Sequence, residues 1–149
     1  MLVMEKPIGV KLKKWEIVED KNIADVFLVV FGKTKNALLK NLLEAFAAII
    51  TEIKEIKNLK EKITFKVEAF DFSEQIFLFI EKLIYLKDTK HLIFKKGDFC
   101  FKKNSIEATL FGQKLTHLPI KVDIKALTRH KFDLKRKNGT YRLSLVFDI

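Results

Sequence analysis

IKALTRHKFDLKRKNGTYRLSLVFDI, residues 124 to 149, reads as two alternating runs folded about Asn138-Gly139. Both turn residues accept the positive φ that a two-residue type I′ hairpin demands, so the spacing predicts a β-hairpin here. The turn sets a register: Lys137 opposite Thr140, Leu134 opposite Leu143, Phe132 opposite Leu145, His130 opposite Phe147 and Arg129 opposite Asp148. One face then carries Phe132, Leu134, Tyr141, Leu143, Leu145 and Phe147 and must be core, while the other is polar. That core anchors the segment, so the carboxylates of Asp148 and of Ile149 at the end of the sequence are expected to be held in place.

Working outward, strands and helices follow one another without a linker. Trp15 to Glu19 is a short candidate strand, and Val26 to Phe31 is apolar on both faces, as in a central strand covered on each side or crossing beneath a helix. From Thr34 to Ile56, Leu39, Leu42, Leu43, Phe46, Ile49, Ile50, Ile53 and Ile56 recur at helical spacing and predict one long amphipathic helix. Ile63 to Phe70 alternates as a half-buried strand. Ser73 is the expected N-cap of a second helix whose Ile76, Phe77, Ile80, Leu83 and Ile84 face the core. Beyond Asp88 come candidate strands at Leu92–Lys96, Asp98–Lys102, Ile106–Phe111, Ile120–Thr128, Lys131–Lys137 and Thr140–Asp148, with turns at Lys96-Gly97-Asp98 and Lys103-Asn104-Ser105. This order is α+β, a two-layer sandwich of two helices on a mostly antiparallel sheet.

Composition bounds the function. A chain of 149 residues with 48% hydrophobic content is one domain, 1–149, whose first 14 residues are expected to be loosely ordered. One cysteine, Cys100, excludes a disulfide framework and a thiolate cluster within the chain. The longest apolar runs, Val26 to Phe31 and Ala45 to Ile50, fall far short of the roughly 20 residues a spanning helix needs, and no apolar signal core opens the sequence. The expectation is a soluble, cytoplasmic protein without membrane partners. Five scattered glycines build no phosphate-cradling loop, and no metal-enzyme or nucleophile-elbow motif is present, which points to a binding or accessory protein.

The net charge is +10, from 26 lysines and only three arginines, Arg129, Arg136 and Arg142, against 19 acidic residues. Lysine surfaces are mostly solvation, but nine basic and three acidic residues between Gly112 and Ile149 concentrate +6 in a quarter of the chain. A solvated face and an RNA-contacting patch both remain open. Asp25 precedes a wholly apolar strand, where a carboxylate is costly unless paired, coordinated or capping local backbone. With Asp148 and Ile149 it would supply hard oxygen ligands suited to calcium or magnesium. His130 reads as a partly buried histidine, and His91 and His117 have no visible partners.

The run Ile124-Lys125-Ala126-Leu127-Thr128-x-His130 and the closing Phe147-Asp148-Ile149 resemble the signature of archease, the small activator of the RtcB-type RNA ligase of tRNA splicing. Asn22-Ile23-Ala24-Asp25 stands where that family shows His-Thr-Ala-Asp, and Leu83-Ile84-Tyr85-Leu86-Lys87-Asp88-Thr89 resembles its second-helix ending. The resemblance implies two strand-helix-strand-strand modules, one inserted in the other. It also implies a divalent cation, calcium or magnesium, at Asp25, Asp148 and Ile149. A functional surface at Lys125, Thr128, Arg129 and His130 is implied as well. The implied role is non-catalytic: a chaperone-like cofactor that helps the ligase's histidine become guanylylated and lets the ligase turn over repeatedly, with RNA met through the ligase. Two departures stand out, Asn22-Ile23 for His-Thr and Arg129 where the family more often has tyrosine. If Arg129 faces Asp148, its guanidinium would compete with the ion for the same oxygens. Another class of reading is a small RNA- or ligand-binding α+β module acting through the basic C-terminal surface, and a metal-dependent hydrolase using Asp25 and Asp148 ranks last for want of a base and a nucleophile.

Overall fold

A computed structural model of the chain describes residues 13–20 and 24–149. Asn22 and Ile23, and all but the last two of residues 1–14, lie outside the described residues. The strands are β1 (Trp15–Asp20), β2 (Asp25–Gly32), β3 (Glu61–Glu68), β4 (Leu92–Lys102), β5 (Ser105–Lys114), β6 (Ala126–Lys137) and β7 (Thr140–Asp148); the helices are α1 (Lys35–Ile50) and α2 (Phe72–Lys90). The fold is α+β, as expected, and every strand pair is antiparallel. The strands divide into two sheets, one ordered β1-β2-β7-β6 and the other β3-β5-β4. The same plan appears twice: β3-α2-β4-β5 gives the order first-last-third, and β2-α1-β6-β7 gives the same order with the first module inserted after α1. Each helix touches both sheets, α1 through β2 and β4, α2 through β6 and β3–β5. The core between them gathers Leu28, Leu42, Phe46, Phe79, Ile80, Leu110, Leu145 and Phe147.

Local chemistry explains the element ends. The Thr34 side chain accepts the Ala37 N–H at 3.0 Å and caps α1, and Asn41 donates to the Phe31 carbonyl at 2.7 Å, tying helix to strand. Gly32 makes this junction feasible, because a Cβ there would lie 2.4 Å from the Leu38 nitrogen. The helix expected to reach Ile56 stops at Ile50. Thr51 is extended and buried, its hydroxyl donates to the Pro119 carbonyl at 2.5 Å, and Lys121 donates to the Ile50 carbonyl at 2.8 Å. Tertiary partners thus capture the last turn, and Ile53 falls in a short 3₁₀ turn.

Asp71, not Ser73, caps α2, accepting the Glu74 N–H at 2.8 Å, and His91 closes the helix in the left-handed conformation, φ 55°. The two strands expected around Gly97 are one strand, β4, with a bulge between Phe94 and Lys96. Gly97 is a packing residue: a Cβ there would meet Leu110, Phe99 and Leu43.

The hairpin at Asn138-Gly139 forms as expected, with φ 54° and 73°, and the register holds from Lys137–Thr140 to Asp133–Ser144. Beyond that point it shifts. Thr128 pairs with Val146, Leu127 with Phe147 and Ala126 with Asp148, so Arg129, His130, Lys131 and Phe132 stand against the single Leu145. Lys131 turns the bulge with φ 62°. Because the shift is odd in residues, it exchanges faces: Leu127 takes the core position opposite Phe147, and His130 is exposed rather than half-buried. The expected strand from Ile120 to Thr128 is likewise shorter. Only an isolated bridge pairs Ile120 with Thr51, Ile120 is 53% exposed, and regular pairing begins at Ala126.

Candidate functional site

The antiparallel pairing of β2 with β7 puts Asp25 directly opposite Asp148 at the end of the four-stranded sheet. Side chains of directly opposed residues lie on one face with Cβ atoms about 5 Å apart, so the two carboxylates share one small volume. On the other side of β2, residue 20 of β1 is the register partner of Asp25, so the strand ends form a row of aspartate positions 20, 25 and 148. Asp25 is half-buried and Asp148 exposed. The approach to Asp25 is a backbone turn through Ala24, which holds φ 53°, and the Ile149 N–H donates to the Ala24 carbonyl at 3.2 Å. Residue 149 is thereby seated beside the turn that presents Asp25. Lys125 enters from the third side: its N–H donates to the Asp148 carbonyl at 2.8 Å, and its own side chain is exposed.

Of the expected site residues, Asp25, Asp148, Ile149 and Lys125 come together, whereas Thr128, Arg129 and His130 do not. Thr128 stays in the ladder opposite Val146, and the bulge that follows it carries Arg129 toward the start of α2. The Thr128 hydroxyl accepts the His130 N–H at 3.1 Å and stiffens the bulge locally. Arg129 does not face Asp148. Its guanidinium makes two parallel hydrogen bonds to Glu74, at 2.5 and 2.7 Å, and lies 3.7 Å from the centre of the Phe77 ring. The expected competition between Arg129 and a cation for Asp148 therefore has no geometric basis. Phe132 packs edge-on to Phe77, so the bulge is fastened to α2 by an ion pair and an aromatic pair.

The Arg129 guanidinium, hydrogen-bonded to Glu74, holds that carboxyl below the usual carboxylate range. A depressed native value means that the clamp's contribution is present above the ordinary carboxylate pKa and is lost as pH falls through the native one. The Glu74 carboxyl is expected to titrate below the ordinary glutamate range in the native protein and to return to it in Arg129→Gln. A carbon-detected NMR titration checks this, and identical midpoints in the two proteins would dissolve the clamp.

Sequence reading missed the Glu74 partner, because nothing local links residues 55 apart. It also missed a buried lysine. Lys87, 3% exposed, bonds Asp123 at 2.9 Å and also pairs with Asp88. A lysine inside an apolar helical stripe is the one signal that pointed there. The triad lines a cleft of about 560 Å³ with His91, Leu115 and Thr116, and ties the end of α2 to the segment leading into Lys125.

The donor chemistry at the acidic row fits a hard cation: carboxylate oxygens from two strands and the backbone of residue 149 beside the turn that presents Asp25. Among the described residues no three His, Cys, Asp or Glu side chains form a group able to hold a metal by themselves, so water and backbone oxygens would have to complete the shell. Among the same residues no helix is long and apolar enough to cross a membrane.

Residues 15–149 match the model of the Archease protein family. Curated relatives named Protein archease include those of Pyrococcus furiosus, 29% identical over 93% of this chain and 100% of the relative, and Aeropyrum pernix, 23% identical over 89% and 96%. Among solved structures, the solution structure of Methanobacterium thermoautotrophicum protein 1598 superimposes with a TM-score of 0.73 at 15% identity, covering 93% of this chain and all of the other. The crystal structure of an archease, possible chaperone, from Thermotoga maritima gives 0.62 at 18% identity with both chains fully covered. These two likenesses establish the shared fold.

Proposed function

Because this chain belongs to the archease family, we propose that it is a non-catalytic accessory protein of the cytoplasm that activates an RtcB-type RNA ligase through the acidic end of its four-stranded sheet. The observation that carries this reading is the cross-strand pair Asp25–Asp148, with Lys125 hydrogen-bonded to the same strand end. Asp25, Asp148 and the backbone oxygens of Ile149 would hold calcium or magnesium, which supplies a compact positive charge to an otherwise repulsive carboxylate pair. The protein's own contribution is positional. Two central strands present the carboxylates rigidly, the Lys125 backbone fixes the Asp148 carbonyl, and the exposed Lys125 side chain stands free to meet the partner.

In the proposed complex this end enters the ligase cleft and favours the state in which the ligase's histidine is guanylylated. The bonds are made and broken by the partner, and the accessory protein lowers the barrier by biasing which conformation is populated. A ligation assay with purified ligase, GTP and broken tRNA halves tests it by counting products per ligase molecule. Wild-type protein is expected to convert a single-turnover ligase to a multiple-turnover one, and Asp25→Ala, Asp148→Ala and Lys125→Ala each to lose that effect by tenfold or more. That threshold corresponds to about 1.4 kcal/mol of lost coupling. Full stimulation by both aspartate variants would sink the proposal.

A further inference from the structure

At the opposite end of β6 and β7, about 26 Å from Asp148 by strand rise, the hairpin tip carries a different chemistry. Lys135, Arg136, Lys137 and Arg142 are all exposed there, with Asp133 the nearest carboxylate along β6. Lys135 and Arg142 are direct cross-strand partners, an arrangement in which like charges repel. Lys135 has Asp133 at 3.6 Å, but among the described residues Arg136, Lys137 and Arg142 have no carboxylate within salt-bridge distance. Elsewhere some surface lysines find one, as Lys14 does with Glu44, Lys114 with Glu61 and Lys121 with Glu52, so it is the density of unpaired cations on one short hairpin, and not the lack of partners alone, that sets the tip apart.

The residue types sharpen the point. Only three of the 29 basic residues are arginine. One, Arg129, is used internally on Glu74, and the other two stand on this tip. Arginine presents a planar fork suited to phosphate, which a lysine-rich surface used only for solvation does not require. The next pair toward the turn, Arg136 and Tyr141, lies on the other, helix-facing side of the hairpin: the Arg136 guanidinium is 4.9 Å from the centre of the Tyr141 ring, and Tyr141 packs edge-on to Phe72, which carries Lys35 at 4.7 Å. Neighbouring helix and strand thus place two aromatics between two cations, a grouping invisible in the linear sequence. Guanidinium planes and aromatic rings of this kind accept unstacked bases.

We infer that the tip of the β6–β7 hairpin is a docking surface for single-stranded RNA that passes around it, bound through phosphates by Lys135 and Arg142 on one face and by Arg136 beside Tyr141 on the other. The surface acts without the ligase and lies at the far end of the sheet from the acidic row. RNA and the acidic site would then be engaged at once by opposite ends of one hairpin.

Fluorescence anisotropy with a labelled 20-nucleotide single-stranded RNA, without ligase, tests this between 50 and 200 mM salt. Lys135→Gln/Arg136→Gln/Arg142→Gln is expected to bind roughly tenfold more weakly, with the logarithmic salt slope reduced by about 2, near 0.7 per phosphate contact. Arg136→Lys/Arg142→Lys, which keeps the charge, is expected to weaken binding severalfold with the slope retained. A control losing as much charge elsewhere, Lys54→Gln/Lys57→Gln/Lys60→Gln, should bind like wild type, and circular dichroism melting establishes that all three are folded. Undiminished binding by the hairpin triple variant, or equal weakening by the control, overturns the inference. So does equally tight, equally hairpin-dependent binding to anionic phosphatidylglycerol vesicles, which would assign the patch to a lipid surface.

Discussion

Asp148→Asn is expected to make the cation-free protein slightly more stable while removing its response to calcium. Asp25 and Asp148 are register partners, and like charges directly opposed on one sheet face are destabilising by a few tenths of a kcal/mol to about 1 kcal/mol. Neutralising one relieves that repulsion without changing side-chain volume, so the unliganded variant gains about 0.5 kcal/mol. The same change removes one of the two carboxylate side chains available to a divalent ion. Wild-type protein held at a hundred times its dissociation constant should gain about 2.7 kcal/mol from the ion, and the variant should gain little of it. Thermal melting in chelator and in millimolar calcium, then magnesium, reads both signs in one experiment. A variant less stable in chelator, or equally shifted by calcium, would show that the aspartate pair is a structural feature and no ion site.

The second expectation concerns Lys87 and is an asymmetry. Its ammonium is buried, whereas its partners Asp88 and Asp123 are 52% and 65% exposed at their side chains. Removing both carboxylates as Asp88→Ala/Asp123→Ala leaves an uncompensated charge inside the molecule and should cost about 3 kcal/mol. Removing the lysine instead, as Lys87→Met, strands no buried charge, because the carboxylates turn to water. It should be neutral or stabilising by about 1 kcal/mol. Urea denaturation of the two variants checks the contrast, and comparable losses in both would refute it. Asp123 lies two residues before Lys125, so the double variant should also loosen the backbone bond from Lys125 to Asp148 and speed amide exchange at residue 125.

What the sequence carried and what it hid differ in physical kind. Asn138-Gly139 encodes its turn in the two residues that make it, and the helical stripes of α1 and α2 encode theirs in period, so the α+β order was legible. Asp25 and Asp148 were each legible as strand-end carboxylates, since Asp25 abuts an apolar strand and Asp148 closes another, but their meeting was implied only by the family resemblance. Register beyond Asp133 was hidden, because the bulge is turned by Lys131, a residue type that does not advertise positive φ. From that one unseen shift came the displaced Arg129, the exposed His130 and the reassigned face of Leu127. The end of α1 was hidden for another reason: its stop signal is Pro119, whose carbonyl takes the Thr51 hydroxyl 68 residues away. Whether the strands make one sheet or two was beyond any local pattern, since that depends on which edge each strand meets.

The nesting of one module inside the other has a consequence for how the molecule is made. The inner sheet is assembled from residues 61–114, contiguous in the chain, and can form while later residues are still being synthesised. The outer sheet cannot, because β2 must wait for β7, the last strand in order, to arrive between it and β6. Asp25 therefore meets Asp148 only when translation has delivered the final strand. A nascent or prematurely terminated chain could hold its inner sheet and yet lack the paired aspartates.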